Sequence, residues 1–477
     1  STCGVLSSII ACVQRHNSRP RSPLDPTATG GGGSDSSRSV GAGGRKSVVI
    51  LPRDAHKSAV HALVLSGATP CFLPPIRHPR SGVSLGVGTA ALEAALEEHG
   101  DEVAAAFIVS PTYEGACADV SSAARACREA GVPLVVDEAH GAHLAFLATS
   151  SEGDRDERTA SSDSAPKAAL QCGADLVVQS AHKTLGSLTQ SAFLHLGGVS
   201  GGEDGGDGGD GGFSMERAVS DALATVQSSS PSYLLLASLD AARWDLAGAE
   251  KKGSRRLREA AQIAGLVREE LSGLQGINVL DLAGEEGRAA GCVGTDPLRL
   301  TVSFDGGVGG YEADEMLIED FGVYAELPAP DYVTFVFGPG STPEHGQKLA
   351  EALRRVAQEA TSREGGSVSP AAAAAAAINT AEVLPLVPPG ELICTPREAF
   401  FSPSKTVSAS DAVGQASAET VCPYPPGIPA LLPGEVITQA ALDALAAVKE
   451  GGGVVSGCSD ATLATMRVVV VEGLEAR

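Results

Sequence analysis

A chain of 477 residues with a formal charge of −23 is long enough for two or three domains, and its acidity argues against nucleic acid as a partner, because binding a polyanion needs clustered Lys and Arg. The same acidity mildly favours a cationic small molecule. Ten cysteines without a CxxC pair read as free thiols in a reducing compartment, and no apolar run approaches the ~20 residues of a membrane span, so a soluble protein of the cytoplasm or an organelle interior is expected, with no membrane partner.

The chain begins at Ser1 rather than methionine, which reads as a fragment whose targeting segment would lie upstream. In STCGVLSSIIACV, hydroxyls open an apolar helix. Ser1 or Thr2 can serve there as an N-cap, or can join the free amides of the first turn in holding an anion such as a phosphate. Residues 14–45 are rich in Gly, Ser, Pro and Arg, and 149–166 and 201–212 (GGEDGGDGGDGG) are equally polar. All three are expected to be disordered inserts, and the last lacks the regular spacing of a calcium-binding repeat. Between them, strands at 47–51, 69–73, 104–109, 133–136, 175–179 and 192–196 alternate with helices at 56–66, 89–99 and 119–130. That alternation predicts an α/β large domain over 1–245, with a mainly parallel sheet and helices on both faces.

A long helix over 231–274 should lead out of this domain, its Lys251, Lys252, Arg255, Arg256 and Arg258 forming a solvated face. A small α/β domain over 246–361 follows, with LRLTVSF, a helix at 311–321, VTFVFG and a helix at 343–356. Residues 362–384, which include AAAAAAA, read as a linker to a C-terminal α+β domain over 385–477. There VCPYPPGIPALLPGE makes a stiff extended loop, since proline fixes φ.

Two strand ends carry the chemistry. In DLVVQSAHKTLGSLTQSA (175–192) an apolar strand empties into Ser180, His182 and Lys183, at the carboxyl edge where open α/β sheets bind ligands. Partial burial there lowers a lysine's pKa, and a neutral amine can form a Schiff base with a carbonyl. Ser180 and His182 are placed to hold an anion such as a phosphate; the bland alternative is a surface turn. In PLVVDEAHGAHLA (133–145) another apolar run ends in Asp137. An ionised carboxylate one strand away from Lys183 is the partner a pyridine nitrogen needs, so the pair suggests pyridoxal phosphate. DEAH is also a helicase signature, but the phosphate-cradling GxxxxGK[ST] it requires is absent. His140 and His143 have the spacing of a metal pair without a further ligand cluster nearby, so no metal is expected.

SAHKTLGSLTQSA closely resembles the lysine signature of the Orn/Lys/Arg decarboxylases, basic amino acid decarboxylases of fold-type I, and VVDEAHGAHLAF resembles their aspartate segment. ILPRDAHKSAVHAL, SPTYEG, SSPSYLLLASLDAAR and PREAFF with VCPYPPGIPALLPGE match further pieces, in the family's order and over most of the chain. The resemblance implies a pyridoxal-phosphate large domain, a small α/β domain and a C-terminal domain of the decarboxylase type. It implies that His56 stacks on the pyridine ring, that Ala139 packs against the other face, and that His140 and His143 line the substrate side. Ser229 and Ser230 match a segment that reaches a phosphate across a dimer interface, so a homodimer or larger homo-oligomer is expected; a helix cap is the other reading of these serines. Glu435 is a candidate partner for a substrate's distal cation, or a surface residue.

The implied mechanism holds the cofactor on Lys183 as a Schiff base, which the amino acid displaces. Carbon dioxide then leaves as electrons flow into a pyridinium paired with Asp137, and His182 or Lys183 returns a proton to Cα. DEAHGAH looks more like the shorter arginine or lysine decarboxylases, which places arginine ahead of lysine or ornithine. Aminotransferase or aldolase chemistry shares this fold; the C-terminal domain and the lack of an obvious carboxylate-binding arginine motif argue against both. Intact Lys183, Asp137 and His56 argue against a regulatory homologue that has lost catalysis.

Overall fold

The computed structural model describes residues 1–19, 46–79, 81–147, 165–198, 213–289, 291–363, 390–424, 427–450 and 452–470. Of the inserts expected over 14–45, 149–166 and 201–212, residues 20–45, 149–164 and 201–212 lie outside these, as does most of the linker. Among the described residues no helix is long and apolar enough to cross a membrane.

The large domain is built on six strands: β1 (Val48–Pro52), β2 (Thr69–Leu73), β3 (Val103–Val109), β5 (Leu134–Asp137), β6 (Leu176–Gln179) and β7 (Phe193–Leu196). A short β4 (Ala116–Ala118) lies outside that sheet. The spatial order is β2-β1-β3-β5-β6-β7, parallel except for the β6–β7 pair. Strands buried on both faces carry no polar positions, which is why VVIL, AAAFI and LVV read as unbroken apolar runs. One face packs Val49, Leu51, Phe107, Val135 and Val178 against α1 (Thr2–Ser18), α2 (Lys57–Ser66) and α7 (Met215–Val226). The other packs Ile50, Ile108, Val136 and Val177 against α3 (Thr89–His99) and α4 (Val120–Glu129). Two short helices, α5 (Leu144–Leu147) and α6 (Ala181–Thr184), follow β5 and β6.

Two expectations change. α1 continues to Ser18, into the range read as an insert, because Val13 and His16 are buried and His16 Nε2 bonds the Lys46 carbonyl. The single helix over 231–274 is two, α8 (Tyr233–Ala247) and α9 (Lys252–Leu271), broken by Gly248 and by Lys251 at a positive φ of 46°. Glycines at 248 and 253 make this junction the weakest helical stretch of the segment.

The small domain is an antiparallel sheet of β8 (Ile277–Val279), β10 (Arg299–Phe304), β11 (Leu327–Pro328) and β12 (Val333–Val336), with order β11-β12-β10-β8. α9 and the helices Gly310–Phe321 and Pro343–Arg363 cover it. β9 (Cys292–Thr295) pairs with β4 and so ties this domain to the large one. The C-terminal region holds two strand pairs, Ser404–Ser408 with Thr465–Val469 and Cys422–Tyr424 with Val454–Ser456. Its anchor to β1 is Arg53, which donates to the carbonyls of Pro429 and Ala430 and to Glu435.

Candidate active site

Three strand ends converge on one cavity of about 1160 Å³. β1 delivers His56, β5 delivers Asp137, and β6 runs through Ser180 into α6, which carries His182 and Lys183. β5 and β6 are adjacent and parallel with Asp137 in register with Val178, so the acid and the amine share an edge. Ser1, Thr2, His56, Asp137, Ala139, His140, His182 and Lys183 all line the cavity. Gly4 lets the N-terminus of α1 reach it: a Cβ there would stand 2.9 Å from Val178 Cγ1, so only glycine allows α1 to lie this close to β6.

Burial shapes the charges. Lys183 keeps open surface toward the cavity, whose walls strip enough solvent to hold its pKa below the usual lysine value; Asp137 opposes that shift and Arg299 adds to it. Burial raises Asp137, against the backbone N–H of Ala139, 3.0 Å from Oδ1, and the charge of Lys183. His56 Nδ1 accepts the Ser58 backbone N–H at 3.2 Å, so its ring proton sits on Nε2. His182 Nδ1 donates to the Ser191 carbonyl at 2.8 Å, which leaves Nε2 as the atom able to hold or release a proton.

Some sequence-derived residues lie elsewhere. Ser180 is fully buried and does not line the cavity, though its hydroxyl has no hydrogen-bond partner among the described residues. Ser229 and Ser230 are exposed and outside the cavity lining, and the cap of α8 is Ser232. His143 does not face substrate space: it is buried behind the cavity, and its Nε2 lies 2.8 Å from Asp296 Oδ1. Nor is Glu435 available to a substrate cation. It is 2 % exposed, takes both oxygens to Arg53, and accepts from the backbone of Gly390 and Leu432. A carboxylate this buried needs its partner within the chain, and Arg53 supplies it.

Sequence reasoning missed Tyr113 and Arg299. The Tyr113 ring centroid lies 4.4 Å from that of His140 and 5.5 Å from Lys183 Nζ, and its hydroxyl donates to Glu326 of the small domain. Arg299 opens β10, and its Nη2 meets His140 Nδ1 at 2.9 Å. SPTYEG was in view as a motif without a role for its tyrosine; an arginine heading the apolar run LRLTVSF was the available signal for the second.

His56 yields a pH prediction. Burial, then Lys183, lowers its pKa from 6.5 to about 4, so between these values the unfolded chain binds a proton that the folded chain refuses. Acidification through that window withdraws stability. In the cofactor-free protein, the denaturant midpoint of the wild type should fall more steeply from pH 6.5 to 4 than that of His56→Asn, which keeps the cap; parallel curves contradict this.

Residues 30–291 match the family described as Orn/Lys/Arg decarboxylase, major domain, and residues 394–460 match its C-terminal domain. The chain is 32 % identical over 422 residues to an arginine decarboxylase of Bacillus subtilis, covering 88 % of this chain and 77 % of that one. It is 32 % identical over 426 residues to one from Halalkalibacterium halodurans, at the same coverage of 88 % and 77 %. Among solved structures, the constitutive lysine decarboxylase of Escherichia coli superposes with a TM-score of 0.65 at 19 % identity, over 89 % of this chain and 67 % of that one. A lysine decarboxylase of Francisella novicida gives 0.67 at 17 %, over 98 % and 68 %. With the family's two domains matched in order and a curated relative aligned over most of its length, the chain belongs to the Orn/Lys/Arg decarboxylase family.

Proposed function

We propose that the protein uses pyridoxal phosphate to decarboxylate a basic amino acid, with arginine as the substrate. The observation that carries this reading is the placing of Lys183 and Asp137 on one cavity from adjacent strand ends. The cavity suits the cofactor. Lys183 offers an amine whose pKa is lowered by burial, Asp137, held by the Ala139 N–H, would meet the ring nitrogen, and the α1 N-terminus would bring free amides to the phosphate. When bound, the cofactor supplies a cationic ring that takes up the electron pair released as the carboxylate leaves.

The chain's own residues do the rest. Asp137, whose pKa burial raises, would pair with the protonated ring nitrogen; His56 presents a neutral imidazole on the cavity side; Ala139 leaves room for a flat ring. His182 Nε2 or Lys183 Nζ returns the proton to Cα. Asp54, Glu114 and Asp331 line the same cavity with Arg77, an acidic wall suited to a distal cation in place of Glu435. The preference for arginine rests on the Bacillus subtilis and Halalkalibacterium halodurans relatives.

The active unit is a homo-oligomer. α8 leaves Tyr233 80 %, Leu234 77 % and Trp244 65 % exposed, while Leu235 and Leu239 of the same helix line the cavity. An apolar face of this kind next to a site needs covering, and a second copy would also bring the exposed Ser229 and Ser230 within reach of a neighbouring cavity.

The protein supplied with pyridoxal phosphate should release carbon dioxide and agmatine from arginine faster than it releases carbon dioxide from lysine or ornithine. Lys183→Ala should abolish release, and Asp137→Asn should cost on the order of 10²-fold or more. Carbon dioxide from none of the three amino acids would reject the reading. By sedimentation the wild type should run as a dimer or larger and Trp244→Arg should run smaller; a wild-type monomer contradicts the assembly.

A further inference from the structure

The hydrogen bonds around His140 admit one arrangement of protons. Arg299 Nη2 stands 2.9 Å from His140 Nδ1, and a guanidinium has donors only, so Nδ1 accepts and carries no hydrogen. A neutral imidazole must then carry its hydrogen on Nε2, which lies 2.9 Å from Lys183 Nζ. An N–H pointing at a lysine needs a lone pair, which an ammonium lacks. We infer that Arg299 is a positioning residue for Lys183: acting through His140, it holds the amine in its uncharged, nucleophilic form. This rests on the reading of Lys183 as the residue that bonds the cofactor.

The reverse assignment, an ammonium donating to Nε2, would leave His140 with both nitrogens accepting, as an imidazolate. An imidazolium would aim an N–H at the guanidinium. Neither competes, and burial, with the charge of Arg299 beside it, holds His140 well below its usual pKa.

Arg299 is enclosed, and Nη2 bonds His140 while Nε and Nη1 have no hydrogen-bond partner among the described residues. Its side chain is 1 % exposed, with Nε 3.7 Å from Asp296 Oδ2. Asp296 is steadied by the backbone N–H of Leu298 at 2.9 Å and by His143 Nε2 at 2.8 Å on Oδ1. Burial alone would raise Asp296, but His143 and Arg299 hold it below the usual carboxylate range, so a charge is present to balance the guanidinium. Gly115, at φ 102°, lets the arginine pass: a Cβ there would lie 2.8 Å from Arg299 Cβ. The two histidines of HGAH thus serve opposite ends of one chain, with His143 holding Asp296 and His140 meeting Lys183.

The other groups near Lys183 do not force this outcome. Asp137 and Glu326 favour its ammonium, as does the Tyr113 ring face, while His56 is neutral. Burial opposes these acids, and His140 is the group that meets the amine itself.

The test titrates Lys183 in the cofactor-free protein by competitive trace acetylation, read by mass spectrometry of its peptide across pH. Arg299→Met should raise the midpoint by about one unit, slowing acetylation at pH 7 roughly tenfold, and Arg299→Lys, still a donor, should restore it. His140→Phe leaves the charge of Arg299 in place and should raise the midpoint likewise; it also decides the matter if Arg299→Met does not fold. A wild-type midpoint in His140→Phe overturns the proposal. The readout uses no cofactor, so a protein that decarboxylates no amino acid would still give this answer.

Discussion

The parallel pairing of β5 with β6 sets the distance between an acid and an amine far apart in sequence, and the cavity chemistry follows from it. Val135, Val136, Leu176, Val177 and Val178 are wholly buried, so the pairing is enforced by the apolar burial that stabilises the large domain, at ~1.5–3 kcal/mol for each such side chain. The strands bury; only their carboxyl tips carry reactive groups. α1 then closes one side of the edge because Gly4 permits contact with Val178. A fold held this way can vary its loops and inserts without moving Lys183 relative to Asp137.

Charge is distributed by the same geometry. Asp137 and Glu138 are neighbours with different surroundings: Asp137 opens onto the cavity beside Lys183, while Glu138, pushed up to about 7 by burial, accepts from the Ala169 backbone at 2.7 Å and from Gln179 Nε2 at 2.6 Å. One carboxylate is placed for chemistry and the other braces the loop beneath it. The buried ion pairs follow a similar division. Arg53 with Glu435 fastens the C-terminal region to β1, and Arg299 with Asp296 stands where the large and small domains meet. Tyr113, bonded to Glu326, is a further link between those domains at the cavity wall.

What was legible in the sequence is what depends on local pattern. Buried strands announce themselves as apolar runs, so the strands leading to Asp137 and Lys183 fell within a residue or two of their observed ends. His56, Ala139 and His182, singled out in the sequence, line the cavity. Tertiary partners were not legible. Nothing near Glu435 in sequence announces Arg53, and nothing near His143 announces Asp296, so both residues read as free functional groups when each is already engaged. The break between α8 and α9 was misjudged for a different reason. Two glycines in a charged, alanine-rich stretch are compatible with a continuous helix, and the packing of α9 onto the small domain decides otherwise.

Lys183 is the lysine proposed to bond the cofactor, opposite Asp137. The most direct measurement mixes the protein with pyridoxal phosphate, reduces with borohydride, digests, and locates the phosphopyridoxyl group by mass spectrometry. One modified peptide, carrying Lys183, is expected. An adduct on another lysine such as Lys57, with Lys183 unmodified, or no adduct at all, would contradict it.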